Sequence, residues 1–448
     1  MNSGKRTRHL PRVLGFFDIS VLSSASMGPA YSLASTMGPM IAFAGNAAPM
    51  ALLVVSAVML CMAIAYSQLS RVAPNAGSSY SWIRMSFGNR VGAYGAWLLL
   101  LSNFFATMAT AVPAGIYTLA LIAPTHAQDP RWSAAVGAIW ILVSAVLLYV
   151  GIRPTAIVTT IALLIELSVL AVSAIIAAFT PHTHAAYAAY TAHAAIHGSS
   201  SGAAIVQAIP LTFFGFINAM TLAVWMSDGW ELSASTSEEV ASAHVNPRDL
   251  RERSGSVSGR GGITGLLITT AILMLCMVGY LHLGTLQGFV QNQDDSLAYV
   301  GDLLGGNIWR FAIVVTVLLS TSAALWTTIL YLSRSVYAMG RDGLLPKALG
   351  QLDGRLEPAW SLAGIAVLVM LCELATGFSP SASAQLQLVL NVSSIFLGLL
   401  FALSAAAPTS GITTSTSRAG MPPPARQKCR THAAALRAKA DPEKSRRR

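Results

Sequence analysis

Charge is what this sequence has least of. Only 10% of its 448 residues are Asp, Glu, Lys or Arg, where a water-soluble domain carries about a quarter. That deficit excludes a chain whose surface mostly meets water. Cysteine is also scarce. Cys61, Cys276 and Cys372 lie inside apolar runs, Cys429 lies near the end, and no Cys-x-x-Cys spacing occurs. A disulfide framework, a zinc knuckle and a redox pair are thereby excluded, and the cysteines read as small apolar packing residues. There is no His-Glu-x-x-His pair, nucleophile elbow or phosphate-binding loop, so an enzyme is not expected, nor a cofactor. The first twelve residues are polar and basic, without an apolar core and small-residue cleavage site. Insertion is therefore expected to use the first span rather than a cleavable leader.

Apolar length is what the sequence does have. Apolar residues make up 54% of the chain, in runs near the ~20 residues that cross a bilayer as helix. Ten spans can be marked, at 13–37, 47–68, 91–122, 133–150, 156–179, 203–240, 262–284, 308–339, 360–378 and 386–407. The sixth is too long for one straight crossing. This predicts an all-α polytopic membrane protein: a short N-terminal segment (1–12), five spans (13–179), an outer loop (180–202), five more spans (203–407) and a basic tail (408–448). The tail is rich in Pro, Ala, Ser and Arg, and that composition predicts disorder.

Placing the N-terminus in the cytoplasm puts sixteen Lys and Arg residues on the inner side, the tail not counted, and only Arg131 and Arg310 outside. This is the bias that orients inner-membrane proteins, and a wrong span count would scramble it. A multi-pass protein of the inner (plasma) membrane with both termini cytoplasmic is expected. The net charge of +10 would suggest nucleic acid in a soluble protein. Here the excess sits in the tail and between spans, so lipid headgroups or water are its partners and nucleic acid is not. The outer loop holds His182, His184, His193 and His197. A solvated low-complexity loop is the plain account, a metal or pH-sensing cluster the alternative, and no metal site is assigned. Residues 287–306, with Asp294, Asp295 and Asp302, are expected to cap the outer face.

Two spans carry helix-breaking chemistry. The first contains Ser26-Met27-Gly28-Pro29-Ala30, where proline removes a backbone donor and glycine adds freedom. The sixth contains Ser227-Asp228-Gly229-Trp230-Glu231, with two carboxylates at membrane depth. One broken span alone would read as a kink or a packing contact. Two, five spans apart, point to a transporter site formed by an inverted repeat, because unwound backbone at this depth is tolerated only where it lines a cavity. Freed amides at the start of a half-helix suit a substrate carboxylate. Freed carbonyls, with Asp228 and Glu231, suit an ammonium group, which tilts the substrate toward a cationic amino acid or polyamine. Another carboxylate at membrane depth, Glu166, lies in span five, and Glu373 lies nearer an end of span nine. Such residues mark function by default. Glu166 and Glu231 are the candidate coupling groups for protons, each neutral when protonated. The alternative for Glu166 is a plain hydrogen bond to a neighbouring helix.

Several motifs resemble the amino acid–polyamine–organocation superfamily of permeases, over about residues 10–407. Ser67-Gln68-Leu69-Ser70-Arg71 followed by Pro74-Asn75-Ala76-Gly77-Ser78-Ser79-Tyr80 is similar to the family's loop after span two, and Gly95-Ala96-Trp97 to its start of span three. Glu238-Glu239 with Asn246-Pro247-Arg248 resembles the segment after span six. Ser333-Arg334, Tyr337-Ala338-Met339 and Arg341-Asp342-Gly343-Leu344-Leu345-Pro346 resemble the signature after span eight. The resemblance implies a five-plus-five inverted-repeat core with broken first and sixth spans, working by alternating access as a secondary transporter of amino acids or related amines. Trp225-x-x-x-Gly229-x-Glu231 is similar to the sixth span of arginine/agmatine antiporters, which implies substrate handling and gating for Trp225 and Glu231. Proton-coupled members often carry a lysine near Glu166, absent here. In this fold sodium, the competing ion, sits between span one and span-eight hydroxyls, for which Ser320, Thr321 and Ser322 are candidates; such residues are also common helix contacts. The family usually has twelve spans. The change after Leu399-Leu400-Phe401-Ala402-Leu403 to Pro- and Arg-rich sequence resembles a lost reading frame or a truncated paralogue. It opens the alternative of a non-transporting homologue, acting as a sensor or being a decayed product.

Overall fold

The computed structural model describes residues 9–180, 211–241 and 247–407. The histidines of the outer loop, residues 203–210 of the sixth span, Asn246, the first eight residues and the tail lie outside them. The described chain is helical, and eight stretches are long and apolar enough to cross a membrane. The first of these, Phe16–Val72, is 57 residues long, more than twice the length of one crossing. It reverses at the tight turn Gly45–Ala47 and so supplies two spans. The sixth span is the shorter apolar helix Phe213–Met226 with its broken continuation. The expected ten spans are therefore Phe16–Ser26 with Pro29–Ala44, then Ala48–Val72, Asn89–Ile122, Pro130–Val150, Ile152–Phe179, Phe213–Met226 with Leu232–Ser235, Pro247–Leu283, Asn307–Arg341, Ala359–Thr376 and Ala382–Ala405.

Three segments differ from expectation. The loop after span two contains a helix, Ser78–Phe87, whose Tyr80, Trp82 and Ile83 are buried. Span seven begins fifteen residues early, at Pro247, because helix continues past the apolar run that hydropathy detects. Residues 287–306 form two short helices, Leu286–Gln291 and Ser296–Gly305, with Thr285 and Asp295 as their N-caps.

Packing reproduces the repeat. In the following pairs, adding five to the span numbers of one contact yields another contact. The first half of span one lies on span seven and the first half of span six on span two; three packs on four and eight on nine; five packs on eight and ten on three. The pairs two–seven, three–eight and four–nine are their own images. Spans two and seven approach closely because Gly255 and Gly259 sit where any Cβ would overlap Ser70 and Ser67, the small-residue contact typical of membrane helices.

The face where the chain enters span one is closed by charge and backbone. Leu14 pairs with Val240 in an isolated parallel bridge. The amides of Val13 and Leu14 donate to the Glu239 carbonyl at 2.9 and 3.0 Å. Arg334, fully buried, donates to Glu239 at 2.8 Å and to Glu357 at 2.7 Å. The second Glu357 oxygen accepts from the Ile152 amide, so spans five and eight, the end of span six and the entry to span nine meet at one guanidinium. Arg341–Glu238, Arg84–Asp342 and Arg153–Asp18 pairs surround it. Removing one partner of a buried ion set leaves the others charged and unpaired. Arg334→Met is therefore expected to lower unfolding stability in detergent by about 3–5 kcal/mol. Arg341→Met, at a partly solvated pair, should cost no more than about 1 kcal/mol. Chemical denaturation of the purified variants checks this, and equal losses would contradict it.

Candidate functional site

The first break is built by Gly28 and Pro29. The helix ends at Ser26, and the amides of Met27 and Gly28 turn back onto Ser24 and Ala25. Gly28 adopts φ +54°, where a side chain is strained and would meet Ala324 and Ser320. Pro29 opens the second half-helix and has no amide to satisfy. The next two amides do need partners. Ala30 donates to Glu166 Oε1 at 2.8 Å and Tyr31 to Ser320 Oγ at 3.1 Å. A carboxylate at a helix start is favourably placed, but here it belongs to the protein. The two amides expected to suit a substrate carboxylate are thus engaged by Glu166 and Ser320 in this structure.

The second break meets the first. Gly229 adopts φ +111°, and a Cβ there would lie 2.7 Å from the Ser26 carbonyl oxygen, so the two breaks touch backbone to backbone. The Gly229 amide donates to Glu231 Oε2 at 3.1 Å. Asp228 stands beside Glu231, and its Oδ1 has no partner among the described residues.

A cavity lies between the breaks. Of the expected residues, Ser26, Met27, Trp225, Asp228, Gly229 and Glu231 line it. Gly28, Pro29, Ala30 and Ser227 are buried but are not in its lining. Trp230 packs elsewhere: its ring meets Tyr66 edge-on at 5.1 Å and stacks on Phe401 at 5.9 Å. The lining adds Tyr31, Asn103, Thr110, Thr328 and Tyr331, which sequence reasoning missed. Their signal was a polar or phenolic group inside an apolar run. Asp228 and Glu231 are the charged residues of the lining, and no Lys, Arg or His joins them.

Glu166 is fully buried behind the first break, with Oε2 unpartnered among the described residues. Of the three candidate sodium hydroxyls, only Ser320 bonds span one. Thr321 and Ser322 bond carbonyls of their own helix. Glu373 is buried in span nine beside Gly137 of span four, outside the cavity lining.

Residues 14–407 match the family model described as amino acid permease. The chain belongs to that family. It is 29% identical over 329 residues to the branched-chain amino acid permease BcaP of Lactococcus lactis subsp. cremoris (strain MG1363), a match covering 69% of this chain and 64% of the relative. The chain thus spans less than two thirds of that relative's length. The structure of MhsT in complex with L-phenylalanine superposes with a TM-score of 0.58 at 14% identity, covering 92% of this chain and 93% of the other. At that identity the likeness shows the fold: this permease is a multi-pass membrane protein with the five-plus-five inverted-repeat core.

Proposed function

We propose that this permease is a secondary active transporter of cationic amines or cationic amino acids, working by alternating access in the inner (plasma) membrane with both termini in the cytoplasm. One observation carries the substrate class. The cavity between the two breaks presents Asp228 and Glu231 without a cationic side chain, while the first-break amides are held by Glu166 and Ser320. An ammonium group would satisfy Asp228 Oδ1, which otherwise stays buried without a partner. The rings of Tyr31, Trp225 and Tyr331 around the same cavity add cation–π attraction. The Lys and Arg distribution supports the orientation. The buried Arg334 set then lies on the cytoplasmic side and shuts it.

Coupling falls to protons or to exchange, through Glu166 and Glu231. The Glu166 carboxyl ties span five to the start of the second half of span one. A proton on its free oxygen would remove a buried charge as that half-helix moves. Sodium needs a cage of oxygens, and span eight offers the first break Ser320 alone of its three candidate hydroxyls.

In proteoliposomes an imposed pH gradient, or trans substrate, is expected to drive accumulation, and a sodium gradient at equal pH is not. Accumulation driven by sodium, together with a Glu166→Gln variant that keeps full pH dependence, would overturn the coupling assignment. Gly28→Leu and Gly229→Leu are expected to reach the membrane at the parental yield and to lose uptake by a hundredfold or more, that is by roughly 3 kcal/mol or more. Uptake at the parental rate in either variant would show that the breaks are mere kinks.

A further inference from the structure

Tyr31 stands in the first turn of the half-helix Pro29–Ala44 and is 2% exposed. It borders two cavities at once. One is the central cavity of Asp228 and Glu231. The other is lined by Ser35, Pro113, Tyr117, Gln128 and Asp295 among others. No other residue borders both. The second cavity lies toward the ends of spans one and three and the helix Ser296–Gly305, opposite the face closed by Arg334.

The hydroxyl of Tyr31 donates to the backbone carbonyl of Ala109 at 2.8 Å. That acceptor exists for a covalent reason. Ala109 lies inside the helix Asn89–Ile122, where its carbonyl would ordinarily accept from the amide of residue 113. Residue 113 is proline and has no amide. The orphaned carbonyl faces a span that carries the first break, and the tyrosine hydroxyl fills the vacancy. The hydrogen bond thus joins the second half of span one to span three at the level where the two cavities meet.

We propose that Tyr31 is the gate between the outer cavity and the central site, latched shut by the carbonyl that Pro113 releases. Substrate entering from the outer cavity passes this ring. The latch opens when the hydroxyl leaves Ala109, which swings the phenol out of the path without breaking any helical hydrogen bond of span three. The direction of passage rests on the transport reading above, whereas the latch itself does not.

The test reads access to the central cavity without substrate. In full-length protein with its four cysteines replaced, Ala106→Cys places a single thiol in the lining of the central cavity alone. Its rate of modification by a membrane-impermeant methanethiosulfonate applied from the outer side reports the gate. Tyr31→Phe keeps the ring and loses the latch, and should raise that rate about three- to tenfold, the range one neutral hydrogen bond supports. Pro113→Ala returns an amide that competes for the Ala109 carbonyl, and should raise the rate by less. Combined with Tyr31→Phe it should add nothing, because both act on one bond. An unchanged rate in Tyr31→Phe, or a full additional effect of Pro113→Ala in the Tyr31→Phe background, would overturn the latch. A permease with a different gate would still take up substrate but show no labelling difference. A chain that transports nothing would still show the difference.

Discussion

A peptide group at membrane depth has no water to bond, so each amide or carbonyl released by a break must find its partner inside the protein. The rest of this structure follows from where those partners are. At the first break, Ala30 and Tyr31 release amides, and Glu166 and Ser320 take them. Spans five and eight are thereby fixed to span one at its weakest point. At the second, Gly229 lets the chain turn and press against the Ser26 carbonyl, which brings the two breaks into one site. In span three, Pro113 releases the Ala109 carbonyl and Tyr31 takes it. Each interruption of a helix is thus also a tie between two spans.

These ties determine the chemistry of the cavity. With the first-break amides engaged, the ionisable side chains that face the cavity are acidic, Asp228 and Glu231. A carboxylate ligand would meet two carboxyls with no cation to offset them, whereas an ammonium ligand completes the set. The opposite arrangement holds at the closed face, where Arg334 is balanced by Glu239 and Glu357. A buried ion set contributes little net stability once desolvation is counted. Its effect is on geometry: Arg334 of span eight meets both carboxylates only when the end of span six and the entry to span nine converge on it. Five of the residues that carry the family resemblance after spans six and eight, Glu238, Glu239, Arg334, Arg341 and Asp342, stand in these ion pairs.

Span number, the two breaks and the repeat were legible in the sequence, because apolar length and the Lys/Arg bias report the membrane directly. The helix Ser78–Phe87 was not, since its polar serines and short length read as loop. Nor was the facing of the two tryptophans. Trp225 and Trp230 flank Gly229, whose φ of +111° resets the helical phase, so periodicity before the break says nothing of side-chain direction after it. Trp225 consequently lines the cavity, while Trp230 packs on Tyr66 and Phe401. Glu166 was recognisable as a costly carboxylate at membrane depth. Its partner was not, because the Ala30 amide lies 136 residues away in sequence and no local rule couples them. The same limit applied to Ser320, Thr321 and Ser322, three adjacent hydroxyls of which only one turns toward span one.

Two groups could anchor the ligand: the acid pair at the second break, or the amides at the first. Titrating the purified permease at fixed pH and salt with lysine and with cadaverine, its decarboxylated counterpart, separates the two, because the pair differs only by a carboxylate. The acid pair as anchor predicts that cadaverine binds at least as tightly as lysine. Binding of lysine with none of cadaverine would mean that the ligand's carboxylate is the anchor, and would contradict the assignment.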